Sequence, residues 1–194
     1  MDTSKWTLES HLEIRATAEG LVEHLKERIK DEQGKFWTDQ NFTALRDFAA
    51  QIDSNASCFH KPRLGHEADD RKEFLWDFIA CRPSGGISLV AESEQQVTSQ
   101  SHVLNLKHDF EKLLYVFAPL RVLIAKAESE MHAKELTQSL SNYANGCCRN
   151  FNPGSAFILH FCLFNKAGSR SYIWQSDGDP APLKIETLEF GEPI

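Results

Sequence analysis

Phe74-Leu-Trp-Asp-Phe-Ile-Ala-Cys81 and Ile87-Ser-Leu-Val-Ala-Glu-Ser-Glu94 are two mainly apolar runs, separated by Pro83-Ser-Gly-Gly86. Glycine and proline clusters mark turns, so we expect these runs to be the two strands of a β-hairpin. Apolar periodicity then predicts a helix over residues 103–117, and the short apolar run at 120–125 predicts another strand. This order of elements indicates an α/β protein with a mixed sheet and helices packed on it.

Helical patterns precede this stretch and strand patterns follow it. Apolar residues recur at helical spacing over residues 8–29, with Gly34 as a stop signal, and over residues 42–52, with Asp39 as the expected N-cap. Residues 53–70 are expected to form a loop with a short edge strand. Downstream we expect a helix over 128–145, a second hairpin from 156–164 and 171–174, and a last edge strand within 183–190.

No linker or repeat divides the chain, and its 194 residues suit a single domain, 1–194. Within it we distinguish N-terminal helices (1–55), a central core (70–126) and a C-terminal helix with strands (127–194). No apolar stretch is long enough to span a bilayer, and the N-terminus lacks the pattern of a signal peptide.

Cysteine usage favours a reducing, cytoplasmic location. The five cysteines are odd in number and scattered, unlike a disulfide framework. Cys58-x-His60 with His66 gives a zinc site as an alternative interpretation, but no second pair of ligands completes it.

Acidic residues follow or interrupt both strands of the first hairpin. Side chains alternate along a strand, so Glu92 and Glu94 share one face, and pairing around Gly85-Gly86 brings Asp77 level with Glu92 or nearly so. Converging carboxylates repel unless a cation neutralises them, and Mg²⁺ or Mn²⁺ prefers such oxygen ligands. Asp77, Glu92 and Glu94 therefore predict a metal site, although ordinary strand-end charges facing solvent would give the same pattern.

The arrangement resembles the PD-(D/E)XK superfamily, the restriction-endonuclease-like nucleases. The resemblance covers roughly residues 40–125, and Glu92-Ser-Glu94 with Asp109-Phe-Glu-Lys-Leu-Leu114 looks most like small prokaryotic members. It implies an αβββαβ core, here with additional N-terminal helices and a C-terminal β-hairpin. It also implies metal-dependent cleavage of DNA, with Asp77 and Glu92 as catalytic metal ligands.

The chain departs from the superfamily pattern at Glu94, where the motif usually has lysine. The resemblance offers two replacements: Glu94 itself as base or ligand, and Lys112 on the following helix, as in branches where the lysine has moved. On a helical wheel Lys112 lies away from the apolar stripe, so a solvated surface lysine is the competing interpretation. For a further acidic ligand the sequence offers three candidates and does not choose among them: Asp47, Glu67 and Glu73.

The resulting hypothesis is a metal-dependent phosphodiesterase that acts on DNA, and a homodimer is expected by analogy. The net charge of −7 argues against a protein that mainly grips phosphates, so DNA contact would depend on a local basic rim. Candidates for that rim are Lys61, Arg63, Arg71, Lys72, Arg149, Lys166 and Arg170. The alternative is a catalytically inactive nuclease fold that serves as a nucleic-acid or protein interaction module.

Overall fold

The structure is a computed structural model that describes residues 11–29, 37–60, 76–95, 100–147, 155–164, 168–175 and 184–186. The four helices are α1 (His11–Arg28), α2 (Trp37–Ile52), α3 (Gln100–Tyr115) and α4 (Glu130–Cys147). The strands are β1 (Ser57–His60), β2 (Phe78–Cys81), β3 (Ile87–Glu94), β4 (Leu120–Ala127), β5 (Ala156–Leu163), β6 (Ser169–Gln175) and β7 (Lys184–Glu186).

The strands form one mixed sheet whose spatial order follows the chain, from β1 to β7. The pairs β1–β2 and β2–β3 are antiparallel, β3–β4 and β4–β5 are parallel, and β5–β6 and β6–β7 are antiparallel again. The parallel pairs need crossover connections, which α3 and α4 supply. All eight residues of β4 and of β5 are buried, as expected for central strands covered on both faces.

Each face of the sheet carries its own apolar core. On one face α1 and α2 pack through residues such as Leu21, Leu45 and Phe48 against the side chains of Val122 and Ile158. On the other face, α3 and α4 pack against the alternate strand residues. Both crossovers advance in the same direction across the sheet, and right-handed connections then place both helices on the same face.

The hairpin turn between β2 and β3 depends on two glycines. Gly85 and Gly86 have φ values of 89° and 86°, a region that other residues rarely adopt. The amide of Arg82 donates to Gly86 O at 3.0 Å and closes the turn. Pro83-Ser-Gly-Gly86 therefore marks the turn, as the sequence predicts.

The structure confirms the α/β class, the mixed sheet, both hairpins and the short edge strand before β2. Two local predictions are wrong. Asp39 lies within the first turn of α2 and is not its N-cap, because the helix already includes Trp37. Asp77 lies in a bend just before β2 and not within the strand predicted over residues 74–81, since the pairing with β3 begins at Phe78.

Several predicted features lie outside the described residues. These are residues 8–10, the stop at Gly34, the strand portion at 74–75, and residues 183 and 187–190 of the last strand. In the part of the chain that the structure describes, no helix is both long enough and apolar enough to cross a membrane.

Candidate functional site

The candidate site lies where β2 begins, next to the C-terminal half of β3. Phe78 is paired with Ala91, so continuing the antiparallel register by one residue sets Asp77 opposite Glu92. Glu92 alternates with Ala91, which faces the α1–α2 core, and therefore points to the face covered by α3. The structure thus brings together two of the predicted carboxylates, Asp77 and Glu92.

Glu92 is only 1% exposed and meets a lysine from α3. The Nζ atom of Lys112 lies 2.6 Å from Glu92 Oε1, and the side chain of Lys112 is only 14% exposed. Among the described residues, neither oxygen of Glu92 has a hydrogen bond of suitable geometry, although Lys112 Nζ is in close contact with Oε1. The competing interpretation of Lys112 as a solvated surface residue is wrong, because the long side chain bends from the edge of α3 back to the sheet.

Asp109 adds a third carboxylate to the site and contacts the same ammonium group as Glu92. Its Oδ1 atom lies 2.8 Å from Lys112 Nζ, one turn earlier on α3. Lys112 is therefore held between a strand carboxylate and a helix carboxylate. Sequence reasoning did not include Asp109 among the site residues, although its i, i+3 spacing to Lys112 was a usable signal.

The protonation of the group follows from burial and crowding. Burial first, and then the charge of Asp77, raise the pKa of Glu92 to about 9, although the contact with Lys112 opposes the rise. For Lys112, burial alone would lower the pKa, but its contacts with Asp109 and Glu92 outweigh burial and raise it. Without a bound cation the group therefore holds a proton on Glu92 near neutral pH, beside a charged Lys112.

Hydrogen bonds fix the segment that carries Asp77. The backbone amide of Ser93 donates to Asp77 Oδ2 at 3.0 Å, and the Trp76 indole N–H donates to the Lys112 carbonyl at 3.4 Å. On the opposite face of β3, the Asn41 side-chain amide donates to Ser93 Oγ at 2.7 Å. Sequence reasoning missed Trp76 and Asn41, because contacts across such separations leave no local pattern.

Glu94 is the last residue of β3 and is partly exposed. Alternation places it on the same face as Glu92, one step further along the strand. Among the described residues, no three His, Cys, Asp or Glu side chains form a group that could hold a metal ion. The carboxylate pair is therefore the geometric centre of the site, and the role of Glu94 stays a prediction.

The remaining candidates divide between the described residues and the rest of the chain. Asp47 lies on α2, whose helix packs on the other face, and pairs with Arg28 at 3.7 Å. Arg170 of the predicted rim pairs with Glu130 at 2.6 Å. Outside the described residues lie Glu67 and Glu73, His66 of the zinc alternative, and the rim residues Lys61, Arg63, Arg71, Lys72, Arg149 and Lys166.

Comparison with known proteins adds no relative: no protein-family model, no curated protein and no solved structure matches this chain. The functional argument therefore depends on the geometry of the site and on general chemistry.

Proposed function

We propose that the protein is a metal-dependent phosphodiesterase of the restriction-endonuclease-like type, acting on DNA. The observation that carries the proposal is the position of Asp77 opposite Glu92, with Lys112 in contact with Glu92. The order α2-β1-β2-β3-α3-β4 supports it, because it corresponds to the αβββαβ core that the resemblance implies. A homodimer and a cytoplasmic location belong to the same proposal.

The donor set fits a hard divalent cation. Mg²⁺ takes oxygen ligands and needs only one or two carboxylates, with water and substrate oxygens completing its shell. Asp77 and Glu92 offer such a pair, and both oxygens of Glu92 are buried without an aligned hydrogen bond. A bound Mg²⁺ or Mn²⁺ would neutralise both carboxylates, lower the pKa of a bound water and stabilise phosphate charge.

The protein side chains have distinct roles in this proposal. Asp77 and Glu92 bind the cation and fix its position. Lys112 supplies the positive charge that stabilises the phosphate in the transition state, in the place of the lysine missing from position 94. Asp109 keeps Lys112 charged and directed to the sheet, which makes it a positioning residue. Glu94, one step beyond Glu92, remains a proposed additional ligand or base.

The test combines metal binding with cleavage. The full chain is incubated with single-stranded DNA, double-stranded DNA and RNA, in Mg²⁺, Mn²⁺, Ca²⁺ or EDTA, and melting temperature is measured in the same buffers. We expect metal-dependent cleavage of DNA and a metal-dependent rise in melting temperature. Asp77→Asn and Glu92→Gln should abolish both effects.

The matched control is Glu135→Gln, which changes an exposed acidic residue of α4 in the same way. It should behave as the parent protein. Cleavage that survives in Glu92→Gln would reject the assigned site. A parent protein with neither a metal-dependent shift nor cleavage would favour the inactive interaction module.

A further inference from the structure

A largely buried lysine lies at the same end of the strands as the candidate site, on the opposite face of the sheet. Lys126 follows Ala125, which is paired with Glu94 at the end of β3. It shares a face with Ile124 and therefore points toward the α1–α2 core. Three residues separate its level from Leu123, the partner of Glu92, which corresponds to about 10 Å along the strands.

A largely buried lysine and an unpaired indole N–H lie together at this position. Lys126 is only 7% exposed, its Nζ atom lies 4.6 Å from the centroid of the Trp37 ring, and it has no ion pair with another described residue. The indole N–H of Trp37, a residue 1% exposed, is buried without a hydrogen-bond partner among the described residues. A cation and an unused N–H donor therefore lie on one indole ring.

The energetics favour an anionic ligand over a purely structural role. The ammonium group of Lys126 contacts the Trp37 ring but has no carboxylate partner among the described residues, so an anion bound beside it would gain a favourable charge interaction. The unpaired, buried N–H of Trp37 carries a free-energy cost that an added acceptor would remove. A phosphate group would satisfy both at once, because its oxygens accept hydrogen bonds and carry negative charge.

We propose that Lys126 and Trp37 form a phosphate subsite that binds the backbone of a nucleic acid. The subsite lies beside the candidate catalytic site, at the C-terminal ends of β3 and β4. The inference rests on the proposed function for its choice of nucleic acid. A nucleic-acid strand that passes the C-terminal ends of β3 and β4 would meet Glu92 on one face of the sheet and Lys126 on the other. The anion chemistry itself rests only on Lys126 and Trp37.

The test is equilibrium binding of a labelled DNA oligonucleotide to the full chain in EDTA, over a range of salt concentrations. We expect Lys126→Met to weaken binding about tenfold at low salt. The slope of log binding constant against log salt concentration should also decrease in magnitude by about one. Lys126→Arg should restore both. The control Lys134→Met removes an exposed lysine of α4 and should bind as the parent does.

A second arm identifies the source of the phosphate. Inorganic phosphate is titrated while tryptophan emission is followed in the parent protein and in Trp37→Phe. Binding of inorganic phosphate without DNA binding would support the subsite and assign it to free phosphate. Equal DNA affinity and salt slope in the parent and Lys126→Met, or no binding of either probe by the parent, would overturn the inference.

The two proposals fail in distinguishable ways. DNA binding that depends on Lys126, without metal-dependent cleavage, would reject the nuclease and retain the subsite. Cleavage that depends on Glu92 but does not change in Lys126→Met would retain the nuclease proposal and reject the subsite. Melting temperature checks that Lys126→Met is folded, so that a loss of binding can be assigned to the missing ammonium group.

Discussion

One ammonium group and three carboxyl groups define the chemistry of the site. Lys112 contacts Glu92 and Asp109, and Asp77 faces Glu92 across the hairpin. With every group charged, negative charge would exceed positive charge in a space that water barely reaches. A proton on Glu92 relieves this imbalance, and a divalent cation would relieve it further.

Removal of Lys112 tests how strongly the group is coupled. We expect Lys112→Met to lower the free energy of unfolding by about 2 kcal/mol at pH 8, because it leaves the carboxyl groups without their cation. The double variant with Glu92→Gln should lose less than the sum of the single variants. Urea denaturation of all four proteins measures the coupling, and additive effects would contradict it.

His160 makes stability depend on pH independently of the site. It is fully buried, its Nδ1 atom lies 2.8 Å from Ser171 Oγ, and burial, with the charge of Lys26, lowers its pKa to about 3. Below pH 6.5 the unfolded chain binds a proton that the folded protein excludes. Stability is therefore lost as pH falls from 6.5 toward 3, and is fully present above 6.5.

We expect the parent protein to lose about 1.4 kcal/mol per pH unit below 6.5, relative to His160→Gln. Urea denaturation at pH 7.5, 6 and 5 measures this difference. His108→Gln, at an exposed histidine of α3, is the control and should follow the parent. Parallel pH profiles for the parent and His160→Gln would contradict the prediction.

Sequence reasoning located one half of the site better than the other. The glycine turn and the alternation of strand side chains predict Asp77 level with Glu92 or nearly so, and a register shift between Ala80 and Cys81, which sequence reasoning did not predict, sets the final pairing. Lys112 could not be placed in the same way, because a helical wheel reports where a Cα lies and not where a four-carbon side chain ends. Asn41 and Trp76 depend on tertiary packing alone.

Among the elements, β3 is paired unequally along its length. Leu89, Val90 and Ala91 pair with both β2 and β4, but beyond Ala91 the pairing with β2 ends. The carboxylate of Asp77 then accepts the Ser93 amide in place of a strand carbonyl. Asp77 thus has a structural role at the open edge of β3 in addition to its proposed catalytic role.

This structural role predicts a local effect on hydrogen exchange. We expect Asp77→Ala to speed exchange of the Ser93 amide about fivefold, equivalent to about 1 kcal/mol, because its acceptor is lost. Asp77→Asn keeps an acceptor oxygen and should change the rate less. Amide exchange followed by NMR measures this.

The control is Asp53→Ala, which removes a carboxylate that accepts the Asn55 amide at 2.9 Å. It should leave Ser93 unchanged. An Asp77→Ala protein with parental exchange at Ser93 would show that strand pairing alone protects this amide.

Element boundaries were less predictable than element types. The helix and strand periods are strong over β3, α3, β4 and α4, and all four occur where they are expected. The start of β2 was placed too early, because Trp76 and Asp77 suit a strand by composition but have no partner in the β3 ladder. Residue propensity does not report where a ladder begins.

At the scale of the whole molecule, the face that holds the site is built on an aromatic cluster. Phe110 packs against Phe157 and Trp174, with ring centroids 5.1 and 5.7 Å away. Since Phe110 lies on the same helix as Asp109 and Lys112, this cluster holds α3 against the sheet. The precision of the site therefore depends on core packing.

We expect Phe110→Ala to lower the free energy of unfolding by about 3–5 kcal/mol, since it leaves a cavity in this core. Phe117→Ala is the matched control, because Phe117 is 81% exposed and its loss should change stability by less than about 0.5 kcal/mol. Thermal and urea denaturation measure both. Similar losses in the two variants would contradict the described packing of α3.

The agreement between strand sequence order and strand spatial order has a consequence for biosynthesis. Each strand leaving the ribosome can dock onto the outer margin of the strands already formed, and no earlier ladder has to open to admit it. Strands β4 and β5, which pair in parallel with the preceding strand, additionally require their connecting helices, α3 and α4, to form. Assembly during translation can thus proceed in one direction, with new strands added only at the edge opposite β1.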